Sequence, residues 1–429
     1  TTGVDNLAIG YSALSSATTN ISQNIAIGNY ALNSFTAGET VTDNIAIGYG
    51  AGTAISTGDH NVMVGSDSGD SITTGGQNTI IGSSAGDGFD AESGNTLIGY
   101  QCGGGGTSSD YVTAVGHNAM TANATQGGTV AIGADALNLL TGGANNTAVG
   151  YQALRQHTTG DRNTAIGYQA MYQTAGDVND APDSDDNVFI GYQAGGGNWE
   201  DDQSSDKNVG IGNYTLDAAM NGALYNTALG HEALGGITTG DANIGVGTFA
   251  ANNTSTGVSN VAIGAYDGTL YGAFTTNTAG SYCIAIGTGA LQTANENDND
   301  GTVAIGHEAC KVQAGTGGAQ FANATVGIGY QALTALTTGI GNVAIGYQAL
   351  LTNVDGDQNT AVGHQALKTF EASSDGDGRN TAIGWNAGLS LTDAIMSTLV
   401  GSHAGDALTT GTQNTAIGAT ALSAATTAT

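Results

Sequence analysis

Along this chain a β-branched, small, β-branched triplet recurs, with asparagine usually before it and glycine always after it. Examples are Asn163-Thr164-Ala165-Ile166-Gly167 and Asn342-Val343-Ala344-Ile345-Gly346. There are 23 such pentads between Asn6 and Gly418, most often 17 residues apart. Position two is β-branched in every copy except Leu7, and position four is always Ile, Val or Leu. Alternation with period two in β-branched residues predicts a short strand in each copy. A fixed short period over the whole chain predicts a solenoid rather than several globular domains. The expected fold is all-β: a parallel β-solenoid (β-roll or β-helix) with about one coil per ~17-residue repeat, running as one repeat domain over residues 1–429.

Within that strand, positions two and four face one way and positions one and three the other. We expect positions two and four to line the coil interior. Position three is Ala in most copies, Gly at Gly210, Gly245 and Gly327, and otherwise apolar (Met63, Ile80, Leu97, Phe189, Leu399). A strand face without polar residues is expected to be covered, here by other copies of the chain. The expected subunit interface therefore runs through Ala26, Ala46, Ala148, Ala165, Ala344 and Ala382, in a homotrimeric rod. The invariant glycine at position five marks a bend or a close backbone approach.

Position one is Asn in 17 copies. Its place inside the strand favours a ladder of side-chain amides over a ligand-binding row. Positions eight and nine continue the coil with a small then a large residue, as in Ala153-Leu154, although nine toggles to glycine at Gly52, Gly69, Gly86 and Gly103. The connecting Thr-Thr-Gly-Asp stretches are turn signals. Longer spacings place loop insertions near residues 172–186, 196–207, 267–282, 292–301, 311–324 and 368–379.

These pentads resemble the head repeats of trimeric autotransporter adhesins, and the longer Asn-Thr-Ala-Ile-Gly-Tyr-Gln-Ala-Leu unit is similar to repeat regions of phage tail fibres and bacterial surface fibres. The resemblance covers almost the entire chain and implies a left-handed parallel β-roll, three chains packed side by side, and a role in extension and attachment at a cell or virion surface. The unit here is longer than the adhesin-head repeat.

Composition narrows the remaining choices. The net charge is −30 with only six Lys and Arg, so phosphate neutralisation and nucleic-acid binding are excluded. Cys102, Cys283 and Cys310 lie far apart at ordinary repeat positions and are read as small apolar fillers rather than a disulfide framework. No apolar stretch reaches membrane-spanning length and no secretory leader is visible, so an export signal is expected outside this segment. Joining Asn414 to a following Asn6 would leave a spacing of 21 residues, which also separates Asn187 from Asn208, so either a segment of a longer fibre or end-to-end stacking of copies is expected.

Three candidate sites follow. Position six carries an aromatic column, including Tyr151, Tyr168, Tyr192, Tyr330, Tyr347 and Trp385, beside glutamines at position seven. Rings next to amides suit a surface glycan or cell receptor, and they suit still better rings stacked on one another at a coil corner. The Asn297-Asp298-Asn299-Asp300-Gly301 segment spaces its oxygens as calcium loops do, and Asp183 and Asp185 belong to a second acidic insertion. Calcium is the one cofactor these loops suggest; otherwise they are solvated acidic loops. No catalytic motif occurs, so a non-enzymatic role is expected. Abundant Thr at position two is also compatible with ice binding, but the expected inward direction of that position counts against it.

Overall fold

The computed structural model describes residues 3–16, 20–36, 39–105, 109–122, 125, 127–174, 184–199, 203–269, 271–294, 299–313, 324–371 and 377–427. Among them there is no α-helix. The chain divides into two compact bodies, one of Thr1–Asn213 with Ala219–Gly222 and one of Tyr214–Ala218 with Ala223–Thr429. Each body is a parallel β-solenoid. Positions two to four of every pentad form one three-residue strand, 12 in the first body and 11 in the second.

Consecutive strands pair in parallel, residue for residue. Thr164, Ala165 and Ile166 lie beside Val188, Phe189 and Ile190, although 24 residues separate the copies. Insertions therefore leave the register untouched. Outside the strand, turns and extended segments continue the coil-to-coil hydrogen bonding, as in Gln169 N–H to Tyr151 O at 2.9 Å and Met171 N–H to Ala194 O at 2.9 Å.

The alternation runs opposite to the sequence expectation. Position three points into the coil: Ala26, Ala46, Ala148, Ala165, Ala344 and Ala382 are all wholly buried within their own body, so these residues cannot meet another chain. Positions two and four point out. The reason is volume. The coil interior also holds position eight (Ala153, Ala170), position nine (Leu154, Met171) and an apolar column three residues further on (Ile72, Phe89, Leu336, Phe370), which, where position nine is large, leaves room for no more than a methyl group at position three.

Size complementarity between positions three and nine records this directly. Where position three is large, position nine of the same coil is glycine: Met63 with Gly69, Ile80 with Gly86, Leu97 with Gly103, Phe189 with Gly195 and Leu399 with Gly405. A Cβ on Gly195 would stand 2.8 Å from the Phe189 ring. The two positions fill one shared space.

Position one is buried and forms the expected amide ladder. Asn163 Oδ1 accepts the backbone N–H of Asn187 at 3.0 Å and its Nδ2 at 3.1 Å, while Asn163 Nδ2 donates to Ser184 O at 2.7 Å. The same pattern joins Asn24, Asn44, Asn61 and Asn78. At position five the glycines approach each other along the coil axis. Gly167 has φ +139°, and a Cβ there would meet Gly191 O at 2.2 Å.

The described parts of the insertions leave and rejoin the coils at fixed points. The segment after Tyr266 returns at Ala273 and Phe274, which occupy positions eight and nine, both buried. Thr293–Ala294 pairs in parallel with Val312–Gln313, and Gln173 bridges Asn198, beside which Trp199 is buried against Phe189.

Candidate functional site

Three surface features rise from this scaffold. The first is the aromatic column at position six. In the first body Tyr151, Tyr168 and Tyr192 stack face to face, with centroids 5.4 and 5.0 Å apart and interplanar angles of 20° and 5°. In the second, His307, Tyr330, Tyr347, His364 and Trp385 form one continuous stack with spacings from 5.3 down to 4.0 Å. The parallel register dictates this, because each coil places its ring directly above the last. Beside the rings the position-seven amides form their own ladder, Gln193 to Gln169 to Gln152 and Gln365 to Gln348 to Gln331 to Glu308, at 2.8–3.0 Å. Sequence reasoning placed all six ring residues on one kind of column, and the structure gathers them into two stacks. Inside a stack the ring faces cover one another, so the edges and hydroxyls are what solvent meets.

The second feature is a column of acids two residues before position one of the pentad. Asp59, Asp110, Asp161 and Asp241 accept the backbone N–H groups of Thr42, Ser93, Ala144 and Leu224 in the preceding coil, at 2.6–2.8 Å. Two calcium candidates belong to this column. Asp185 Oδ1 accepts from Asp161 N–H at 2.6 Å, and its other oxygen faces Arg162 at 3.3 Å; Asp300 accepts from Ser281 N–H at 2.7 Å. Asp185 and Asp300 thus each join one coil to the preceding one. Asp183 and Asp298 lie outside the described residues. Among the described residues, no three of His, Cys, Asp and Glu converge on a common point.

Electrostatic perturbation is modest. The Arg162 guanidinium, hydrogen-bonded to Asp186 at 2.6 Å, holds that carboxyl below its usual range. Burial lifts Asp70 to about 6, and the neighbouring Asp87 carboxylate adds to the lift. Burial likewise lifts Asp217 to about 6. The three thiols are buried, and burial pushes each up to about 12.

The third feature is the outward strand face, which sequence reasoning assigned to the interior. Position-four side chains stand half exposed along both bodies: Ile166 and Ile345 at 37%, Ile211 at 39% and Ile383 at 41%. Position two adds a parallel rank of Thr, Val and Ile. The volume match between positions three and nine was the signal in the sequence that could have revealed this direction.

Against known proteins, the chain matches no protein-family model and no curated protein sequence.

Proposed function

We propose that this chain is the shaft of an extracellular fibre at a cell or virion surface, built by self-association through the outward strand face. The observation that supports the reading is the double rank of β-branched side chains at positions two and four. Covering a half-exposed Ile or Val gains about 1–2 kcal/mol. Eleven or twelve strands in each body offer a sum that exceeds an association cost of about 4–15 kcal/mol. Small residues at position three let the coil stay thin, so length and self-association are what the repeat supplies. The resemblance to adhesin heads favours three chains, with the strand faces turned toward a common axis. The charge of −30 keeps such fibres apart from one another. Light scattering tests this: wild-type protein has the mass of three chains, and Ile345→Lys weakens the assembly. A single-chain mass for wild type at all concentrations would remove the proposal.

A second reading uses the same face. Position two is outward and carries consecutive threonines at Thr79, Thr96 and Thr113 and again at Thr360, Thr381, Thr398 and Thr415, the kind of rank that orders water on an ice surface. Val and Ile interrupt the rank elsewhere, which favours protein as the partner. Thermal hysteresis from a monomeric chain would reverse that order. Attachment to glycans through Tyr151, Tyr168, Tyr192, Tyr330, Tyr347 and Trp385 remains the alternative for the flanks, through ring edges and hydroxyls.

A further inference from the structure

We infer that the stacked tyrosines are sites of intrachain dityrosine formation, each link stapling one coil to the next. Tyr168 and Tyr192 lie 5.0 Å apart at 5°, and Tyr330 and Tyr347 lie 5.3 Å apart at 9°. All four rings are about two-fifths exposed, so a one-electron oxidant reaches their hydroxyls. Rings this close and parallel hold their ortho carbons about one ring spacing apart, and a side-chain torsion adjustment brings them to bonding distance. The coil ladder fixes the backbone of both residues, so the movement falls on the side chains.

The co-reactant is hydrogen peroxide acting through a haem peroxidase. Each phenol gives up one hydrogen atom from its hydroxyl, and the unpaired electron spreads to the ortho carbons. Two adjacent radicals pair to form one carbon–carbon bond. Each ortho carbon then loses its proton as a hydroxyl is restored, and both rings regain aromaticity. Overall two tyrosines and one peroxide yield one dityrosine and two waters, the two hydrogen atoms lost by the rings reducing the peroxide.

Trp385, exposed at the end of the second stack, is the aromatic competitor; sulfur competes little. Cys102, Cys283 and Cys310 are buried, and their thiols stay protonated well above neutral pH, so no thiolate intercepts the oxidant. Met63, Met120, Met171 and Met220 are buried as well, leaving Met396 as the exposed methionine.

The experiment treats the whole chain, as a mixture of heavy- and light-isotope preparations at micromolar concentration, with peroxidase and peroxide, then maps linked peptides. Expected are peptides two hydrogens lighter joining Tyr168 to Tyr151 or Tyr192, and Tyr330 to Tyr347, each of one isotope only. An effective concentration in the millimolar range favours these links over encounters between particles by about a hundredfold or more. Tyr168→Phe removes the links to Tyr151 and Tyr192 and spares Tyr330–Tyr347; Tyr347→Phe does the reverse. Mixed-isotope links as the main product, links chiefly at Tyr111 and Tyr282 outside the stacks, or peroxide consumed without dityrosine would each overturn the inference. Because the link lies within a chain, a monomer that still cross-links would defeat the fibre reading and leave this one standing.

Discussion

Position three carries the least conspicuous side chain of the repeat, and the fold turns on it. Ala165 fills a space that Met171 also occupies, so Ala165→Leu overfills the coil, at a cost of about 1–3 kcal/mol. Adding Met171→Gly recreates the pairing seen at Leu97 with Gly103 and recovers most of that loss. A double-mutant cycle by denaturant unfolding reads the coupling; additive losses would mean that the two positions do not share volume. The ladder asparagine is equally specific. Asn163→Ala leaves Asn187 N–H and Ser184 O without their buried partner, with an expected loss of about 1–3 kcal/mol in the same assay. Asp70 and Asp217 act in the other direction. Their folded-state values of about 6 exceed the ordinary 3.8, so the unfolded chain ionises first, and stability falls as pH rises from 3.8 through about 6. Asp70→Asn therefore raises the melting temperature at pH 7 and flattens that slope; an unchanged or lower value at pH 7 would contradict the assignment.

At the scale of the element, each repeat is a strand, two tight turns and a connector that hydrogen-bonds to its neighbours on both sides. Such a unit tolerates interruption wherever the chain leaves and returns at the same coil position. Deleting residues 267–272 joins Tyr266 directly to Ala273 and restores a 17-residue spacing between Asn260 and Cys283. The deletion should lower the melting temperature only slightly, through loss of the Tyr271 contacts with Phe249 and Tyr266. A cooperative collapse of the second body would show that the insertion is structural.

Much of this element was legible beforehand. The strand, the glycine bend, the amide ladder and the parallel stacking follow from one pentad, because each depends on residue types at fixed spacing. The direction of the strand did not follow, since Ile and Val suit a coil interior and a shared surface equally well. Only the pairing of large residues at position three with glycine at position nine separates those cases. Similarly, the spacing of Asp185 and Asp300 is visible in sequence, whereas the backbone N–H groups they accept from belong to other coils. Chelator is accordingly expected to leave the melting temperature unchanged; a marked drop with EDTA would return these loops to metal binding.

At the scale of the whole molecule, each body presents outward two ranks of β-branched side chains and stacked aromatic rings, and the chain carries a net charge of −30. Assembly is the claim that gives the repeat its purpose, and the buried native thiols provide a clean way to test it. With Ile345→Cys as the one exposed cysteine, the account predicts slow labelling of that thiol in the native state and, on mild oxidation, a disulfide between two copies that runs as a covalent dimer on denaturing gels. Rapid labelling at the rate of a free thiol, with no covalent dimer, would contradict it.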